Sequence, residues 1–143
     1  MTRGSLGSIP PGELSAVLAG TFPALVGVEF EEIARGSVAA HMDLRPDHMA
    51  PNGFLHAGAV VGLADSACGF GCMASLPEGA VGFTTIELKA NFTGTAREGR
   101  VGCRATMAHG GRTTQVWDAV VTGPSGKTMA MFRCTQLVLY PRD

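Results

Sequence analysis

The stretch Ala57 to Leu76 reads AGAVVGLADSACGFGCMASL, contains no proline, is rich in Ala, and is closed by Leu76-Pro77. Its length and apolar texture predict one long buried helix. Within it Asp65 is the only Asp, Glu, Lys or Arg between Asp47 and Glu78. An ionised carboxylate in an apolar helix is costly unless paired, and burial pushes its pKa up. Folding alone gives no reason to place it there. The plain alternative is an Asp that reaches solvent or bonds a loop backbone. Gly58, Gly62 and Gly69 stand at offsets of −7, −3 and +4 from Asp65 and so share its helix face. Each glycine weakens a helix by about 1 kcal/mol relative to Ala, so this bare strip implies close approach by a backbone, a ligand or the sheet. A membrane span is rejected, because a central Asp would cost about 3 kcal/mol and neither flank carries a Lys/Arg cluster.

On the N-terminal side, Glu13 to Leu18 reads as a short helix that Thr21 to Pro23 ends. Val26 to Ala34 and Ser37 to Leu44 read as a hairpin turning at Arg35-Gly36. Arg45 to Leu55 holds Pro46, Pro51 and Asn52-Gly53 and is a loop into the long helix. Beyond Glu78 four alternating runs follow, near Val81 to Phe92, Arg100 to Ala108, Thr113 to Thr122 and Thr128 to Tyr140. In the first of these, strict alternation puts Ile86, Leu88, Ala90 and Phe92 on the packed face, and Phe83, Thr85, Glu87, Lys89 and Asn91 on the polar one. The turns His109-Gly110-Gly111 and Gly123-Pro124-Ser125-Gly126 are too short for parallel crossovers, so those neighbours are antiparallel. The expected class is α+β: an antiparallel sheet curled round one apolar helix. Residues 13–143 form a single domain, and residues 1–12, with Pro10-Pro11, form a flexible arm.

Composition bounds the partners. The 143 residues are 45% apolar, 16% charged and 6% aromatic, with 11 Lys plus Arg against 12 Asp plus Glu. A formal charge of −1 argues against a nucleic-acid or anionic-membrane surface. Cys68, Cys72, Cys103 and Cys134 follow no CxxC pattern, and the N-terminus lacks a signal-peptide h-region, so reduced thiols and a cytoplasmic location are expected. Cys68 and Cys72 stand at i, i+4 and could ligate a soft metal; packing in the core is the expected role, and no metal is assigned. Met73, Met107, Met129 and Met131 are expected in the core or a pocket lining. Serine-hydrolase, NTPase, dinucleotide and zincin motifs are absent. The start of the long helix is the second informative feature. Asn52-Gly53-Phe54-Leu55-His56-Ala57-Gly58 brings an amide, an imidazole and free N–H groups to a helix N-terminus, where an oxyanion could be held. His56 is too far along the helix from Asp65 for a direct relay.

With NGFLHAG, AVVGLADSACG, GFTTIELKANF and GRTTQVWDAVV in this order, the chain resembles the hotdog-fold acyl-CoA thioesterases over about residues 25–140. The resemblance is to the PaaI-like type named for phenylacetic acid degradation. The closest part runs from His56 to the acid nine positions later. The resemblance implies that Asp65 acts as nucleophile or general base, and that Asn52 with the N–H groups of Ala57 and Gly58 polarises the thioester carbonyl. It also implies a strand hydroxyl that orients water, Thr85 or, one residue away, Thr84. Most members have His-Gly-Gly where this chain has His56-Ala57-Gly58; a backbone donor survives that change. Further implied are an acyl-CoA substrate, CoA being part of it with no separate cofactor, and homodimers with a continuous sheet, paired into tetramers, whose sites use two subunits. For the CoA phosphates, Lys89, Arg97 and Arg112 are the cations best placed by strand order. The alternative is a hotdog protein that binds acyl-CoA or an aromatic ligand without turnover; a hydratase is disfavoured.

Overall fold

The computed structural model describes Pro10 and residues 13–143; the expected arm at residues 1–12 otherwise lies outside the described residues. The elements are α1 (Leu14–Leu18), α2 (Phe22–Val26), β1 (Val28–Ala34), β2 (Ser37–Asp43), α3 (Ala57–Ala74), β3 (Gly82–Phe92), β4 (Arg100–Gly110), β5 (Thr114–Thr122) and β6 (Thr128–Leu139). A short 3-10 turn, Pro46–His48, interrupts the loop before α3. The six strands form one antiparallel sheet in the order β1-β2-β4-β5-β6-β3, and α3 touches every one of them. This is the sheet wrapped on one helix that the hydrophobic patterns predict, and the architecture is the hotdog fold. By length and composition α3 could cross a membrane, but its apolar side packs on the sheet instead.

One expectation near the N-terminus is corrected. Thr21 to Pro23 does not simply end a helix: it starts α2, with Thr21 as N-cap residue and Pro23 in the first turn. Proline suits that position because its missing N–H would be unpaired there anyway. Gly27 closes α2 in the left-handed region at φ 92°, so β1 starts at Val28 and not at Val26.

The core lies between the inner faces of the strands and the buried side of α3, where Val60, Leu63, Ala64, Ala67, Cys68, Gly71 and Cys72 are covered. Trp117 on β5 is fully buried and its indole N–H donates to Gln115 Oε1 at 2.8 Å. Gln115 Nε2 donates in turn to the Ser75 carbonyl at 2.9 Å, which satisfies one open acceptor at the C-terminal end of α3. Gly71 explains how a helix can approach this indole: a Cβ there would stand 2.5 Å from two Trp117 ring carbons. Gly71→Ala is therefore expected to destabilise the fold by about 2 kcal/mol, the overpacking cost outweighing the better helix propensity. Chemical denaturation measures it; a variant as stable as the parent would show that the indole shifts without strain. All four cysteines are free and buried, as expected. Burial pushes the thiols of Cys72 and Cys103 up to about 12, which leaves them inert at neutral pH. Met129 is buried and Met107 packs on the core, but Met131 is half exposed on the outer face, contrary to expectation.

The alternation expected for β3 also fails, for a local reason. Thr85 pairs with Gln136 and Glu87 with Thr135, so Ile86 is an extra residue in a β-bulge. A bulge reverses the parity of everything beyond it. Phe83 and Thr85 therefore face α3 together with Leu88, Ala90 and Phe92, while Thr84, Glu87, Lys89 and Asn91 face outward. On the later part of that row Ala90 is partly covered, whereas Leu88 and Phe92 stay 43% and 47% exposed, and bulged Ile86 56%. The row is open because β3 is an edge strand.

Candidate active site

Asp65 sits in the middle of α3 and faces an apolar cavity of ≈ 390 Å³ lined by Phe22, Pro23, Ser66, Gly69, Phe70, Met73 and Phe83. The glycine strip beside it is occupied by aromatic rings. A Cβ on Gly62 would meet Phe22 at 3.3 Å, and one on Gly69 would meet Phe83 at 3.1 Å. Small residues on the helix thus let α2 and β3 bring two phenyl rings to the carboxylate. Asp65 Oδ1 is buried and has no hydrogen-bond partner. Burial pushes the carboxyl above the usual Asp range, and the Thr85 hydroxyl opposes this with a smaller effect. A carboxylate raised by desolvation at the wall of a cavity has the character of a proton acceptor.

The bulge is what delivers Thr85. It turns the Thr85 side chain to the helix side, where its hydroxyl donates to Gln136 Oε1 at 2.7 Å beside Asp65, and leaves Thr84 exposed on the outer face. Of the two threonines left open by the sequence, Thr85 is the one that shares the cavity side with the carboxylate.

His56 is the N-cap residue of α3, and its Nδ1 accepts from Gly58 N–H at 2.8 Å. Two consequences follow. The Gly58 N–H expected to meet a ligand is already engaged, so Ala57 N–H is the open donor of the first turn. Because Nδ1 accepts, the neutral ring carries its proton on Nε2, which is then a donor. Gly58 has to be glycine for this cap: a Cβ would come within 2.9 Å of Nδ1. Asn52 does not point its carbonyl oxygen at the helix. Its Oδ1 accepts from Phe54 N–H at 3.2 Å, closing a local turn around Gly53 at φ 86°.

A second groove of ≈ 510 Å³ runs along the start of α3, lined by Phe22, Leu25, Val26, Arg45, Asp47, His48, Met49, His56, Gly58 and Ala59. Phe22 borders both hollows. Along the axis His56 lies about 13 Å from Asp65, so one chain alone does not bring the carboxylate to the helix start.

The three cations fall in three places. Arg97 lies in the loop after β3 with its guanidinium 5.7 Å from the Phe54 ring centroid, beside the start of α3. Arg112 lies in the β4–β5 hairpin, its guanidinium over Tyr140, whose hydroxyl donates to the Arg112 carbonyl. Three residues on, Gln115 reaches the C-terminal end of α3, so within one chain Arg112 is a helix length from His56. Lys89 lines an outer-face groove with Asp118 and Arg133, across the sheet from the cavity, because the bulge sends it outward. Strand order alone could not separate these three.

Phe22, Pro23, Phe83, Gln136, Arg45 and His48 escaped the reading of the sequence. A signal existed for the first two, since Thr21 followed by Pro23 has the form of a helix start. None marked Gln136, which is fully buried on β6. Among the described residues, Glu29, His41 and Asp43 form one group able to approach a metal ion. That group is already satisfied: both ring nitrogens of His41 contact carboxylates, Glu29 at 2.9 Å and Glu31 at 2.8 Å, and Asp43 is held by Arg100.

Comparison with known proteins agrees with this geometry. The family profile described as Thioesterase superfamily matches residues 52–130, from the loop before α3 to the start of β6. The chain is 31% identical to the 1,4-dihydroxy-2-naphthoyl-CoA hydrolase of Escherichia coli over 129 residues, covering 88% of this chain and 92% of that protein. It is 29% identical to the hydrolase of the same name from Listeria monocytogenes over 110 residues, 77% of this chain and 89% of the other. Among solved structures, a mutant thioesterase of Pseudomonas aeruginosa superposes with a TM-score of 0.85 at 32% identity, covering 92% of this chain and 95% of that one. A thioesterase of Haemophilus influenzae gives the same TM-score at 26% identity, covering 92% of each chain. A carboxylate on the central helix of a hotdog sheet, an open helix N-terminus and this set of relatives agree, and the chain belongs to the thioesterase superfamily as a hydrolase of CoA thioesters.

Proposed function

We propose that the protein hydrolyses an aromatic acyl-CoA, with Asp65 as general base. The observation that carries this is the buried, unpartnered Asp65 Oδ1 at the wall of a cavity whose lining includes Phe22, Phe70 and Phe83 beside Pro23, Ser66, Gly69 and Met73. Stacked and edge-on phenyl contacts favour a flat aryl group over a flexible alkyl chain. The relatives named for a dihydroxynaphthoyl thioester support the same substrate class. In the reaction, water adds to the thioester carbonyl carbon as Asp65 takes its proton, with Thr85 orienting the water. The developing oxyanion is met by Ala57 N–H and His56 Nε2–H at a helix N-terminus, where the dipole adds to the attraction. The tetrahedral species then collapses, the C–S bond breaks and the CoA thiolate leaves.

The separation of Asp65 from His56 makes each site a two-chain site: the carboxylate of one protomer works with the helix start of its partner. The open apolar row on β3 supplies the seam, since an eleven-residue edge strand with exposed Leu88 and Phe92 is otherwise a liability. The active species is thus a homodimer with the sheet continued across β3, a unit that can pair again into a tetramer.

A thiol-release assay across benzoyl-, phenylacetyl-, naphthoyl- and straight-chain acyl-CoAs tests the reading. An aryl substrate is expected to give the highest kcat/KM, and a preference for long alkyl chains would remove the aromatic assignment. At the mouth of the site Arg97 is assigned to the CoA phosphates. Arg97→Ala is expected to raise KM for acyl-CoA about tenfold and to leave an acyl-pantetheine unaffected, since that substrate lacks the nucleotide phosphates. Equal losses on both substrates would make Arg97 a structural prop for Phe54.

A further inference from the structure

Two buried glutamines face one another across the β5–β6 pair, Gln115 and Gln136, and their surroundings differ in kind. Gln115 is pinned. Its oxygen accepts from the Trp117 indole, which can only donate, and its nitrogen donates to the Ser75 carbonyl, which can only accept. Gln136 has as partners the Thr85 hydroxyl at 2.7 Å and Cys134 Sγ at 3.4 Å, and each of these both donates and accepts. Nothing around Gln136 fixes which end of its amide faces Thr85.

That freedom matters because Thr85 has one proton and stands between two acceptors, Gln136 and Asp65. With the Gln136 oxygen toward it, Thr85 donates to Gln136 and offers Asp65 only lone pairs, an arrangement suited to a protonated carboxyl. With the amide turned over, Gln136 Nε2 donates to Thr85, Thr85 donates to the Asp65 carboxylate, and Cys134 S–H donates to the amide oxygen. Gln136 and Thr85 keep the same neighbours as partners in both arrangements, which differ in the charge on Asp65 that they suit. Among the described residues the titratable neighbour of Asp65 is Cys68 on α3, itself in contact with Cys134 on β6; α2 contributes Phe22 and Pro23, and β3 contributes Phe83 and Thr85.

We propose that Gln136 is a positioning residue for the hydrolysis, an amide that turns over with the protonation of Asp65 and, through Thr85, supports the carboxylate while it waits for the water proton. The inference rests on Asp65 being the base. In ¹⁵N-labelled wild-type protein the Gln136 side-chain amide resonances are expected to titrate with the midpoint of the acid limb of kcat/KM, and to stop titrating in Thr85→Val. An amide indifferent to pH in the wild-type protein overturns the proposal without any variant at Gln136.

In Gln136→Met the acid limb is expected to move upward by about half a pH unit, because the charge-assisted bond to the carboxylate loses more than the weaker bond to the neutral acid. The same substitution made in a Thr85→Val background is expected to move nothing. A Gln136 that only fills space would lower stability and leave the limb in place, and that result also overturns the proposal. Asp65→Asn, assayed alongside, separates the two levels. If it is inactive while Gln136 neither titrates nor moves the limb, only the role of Gln136 falls; if it keeps wild-type turnover, the functional reading falls and takes this one with it.

Discussion

Asp65→Asn is expected to lower kcat for acyl-CoA hydrolysis by at least about a hundredfold while the fold survives. The amide keeps the shape of the side chain in the cavity and removes the one group there able to accept a proton from water. Stability is expected to respond in the opposite direction. A carboxyl raised by burial stabilises the fold fully below its unfolded-state value and loses that contribution as pH rises through its folded-state value. Above its folded-state value the wild-type protein carries Asp65 ionised and partly desolvated, a cost that the amide avoids. Asp65→Asn should melt higher than wild type at neutral pH, and the advantage should fade below the ordinary Asp range. Wild-type turnover in the variant, measured by thiol release, would remove Asp65 from the chemistry.

Charging the open row of β3 is expected to abolish activity by a different route. Leu88 and Phe92 are half exposed in one chain, so Leu88→Lys with Phe92→Lys should leave each chain folded. In a dimer joined at β3 the two charges would be buried without partners, at about 3 kcal/mol or more, and lysine on an edge strand is itself a barrier to pairing. The chains are expected to separate, and with the sites split kcat/KM should fall at least about a hundredfold. Sedimentation velocity and the thiol assay on one preparation check both parts. Mixed subunits add a sharper arm: inactive Asp65→Asn and inactive His56→Ala chains should regain part of the activity together, because half of the hybrid sites are intact. Full activity in a strictly monomeric wild-type protein would refute the two-chain site.

The long helix and its single carboxylate are legible in the sequence for a simple reason. A twenty-residue apolar run with one isolated Asp has few ways to be stable in water, and a sheet wrapped round it is the economical one. The antiparallel neighbours follow from short glycine turns by the same local logic, and the helix start with His56 announces itself through residues adjacent in sequence. What depended on residues far apart in the chain was hidden. The return of β3 to pair with β6 is set by packing across the whole sheet. The bulge at Ile86, which turns Thr85 toward Asp65 and Lys89 away, depends on how β3 registers against β6.

The class of the fold, the central helix and the isolated acid can be read from the chain alone, because each rests on periodicity and local chemistry over a few turns. It took the folded chain to show which threonine meets that acid, that the Gly58 N–H is taken by His56 Nδ1, and that two phenyl rings fill the glycine strip. Packing likewise places Gln136, one more residue of an alternating strand by sequence, behind the hydroxyl beside the carboxylate. The physical reason is that side-chain parity in a sheet has period two: one inserted residue reverses every assignment after it, and an interstrand contact has to be seen before that insertion can be placed.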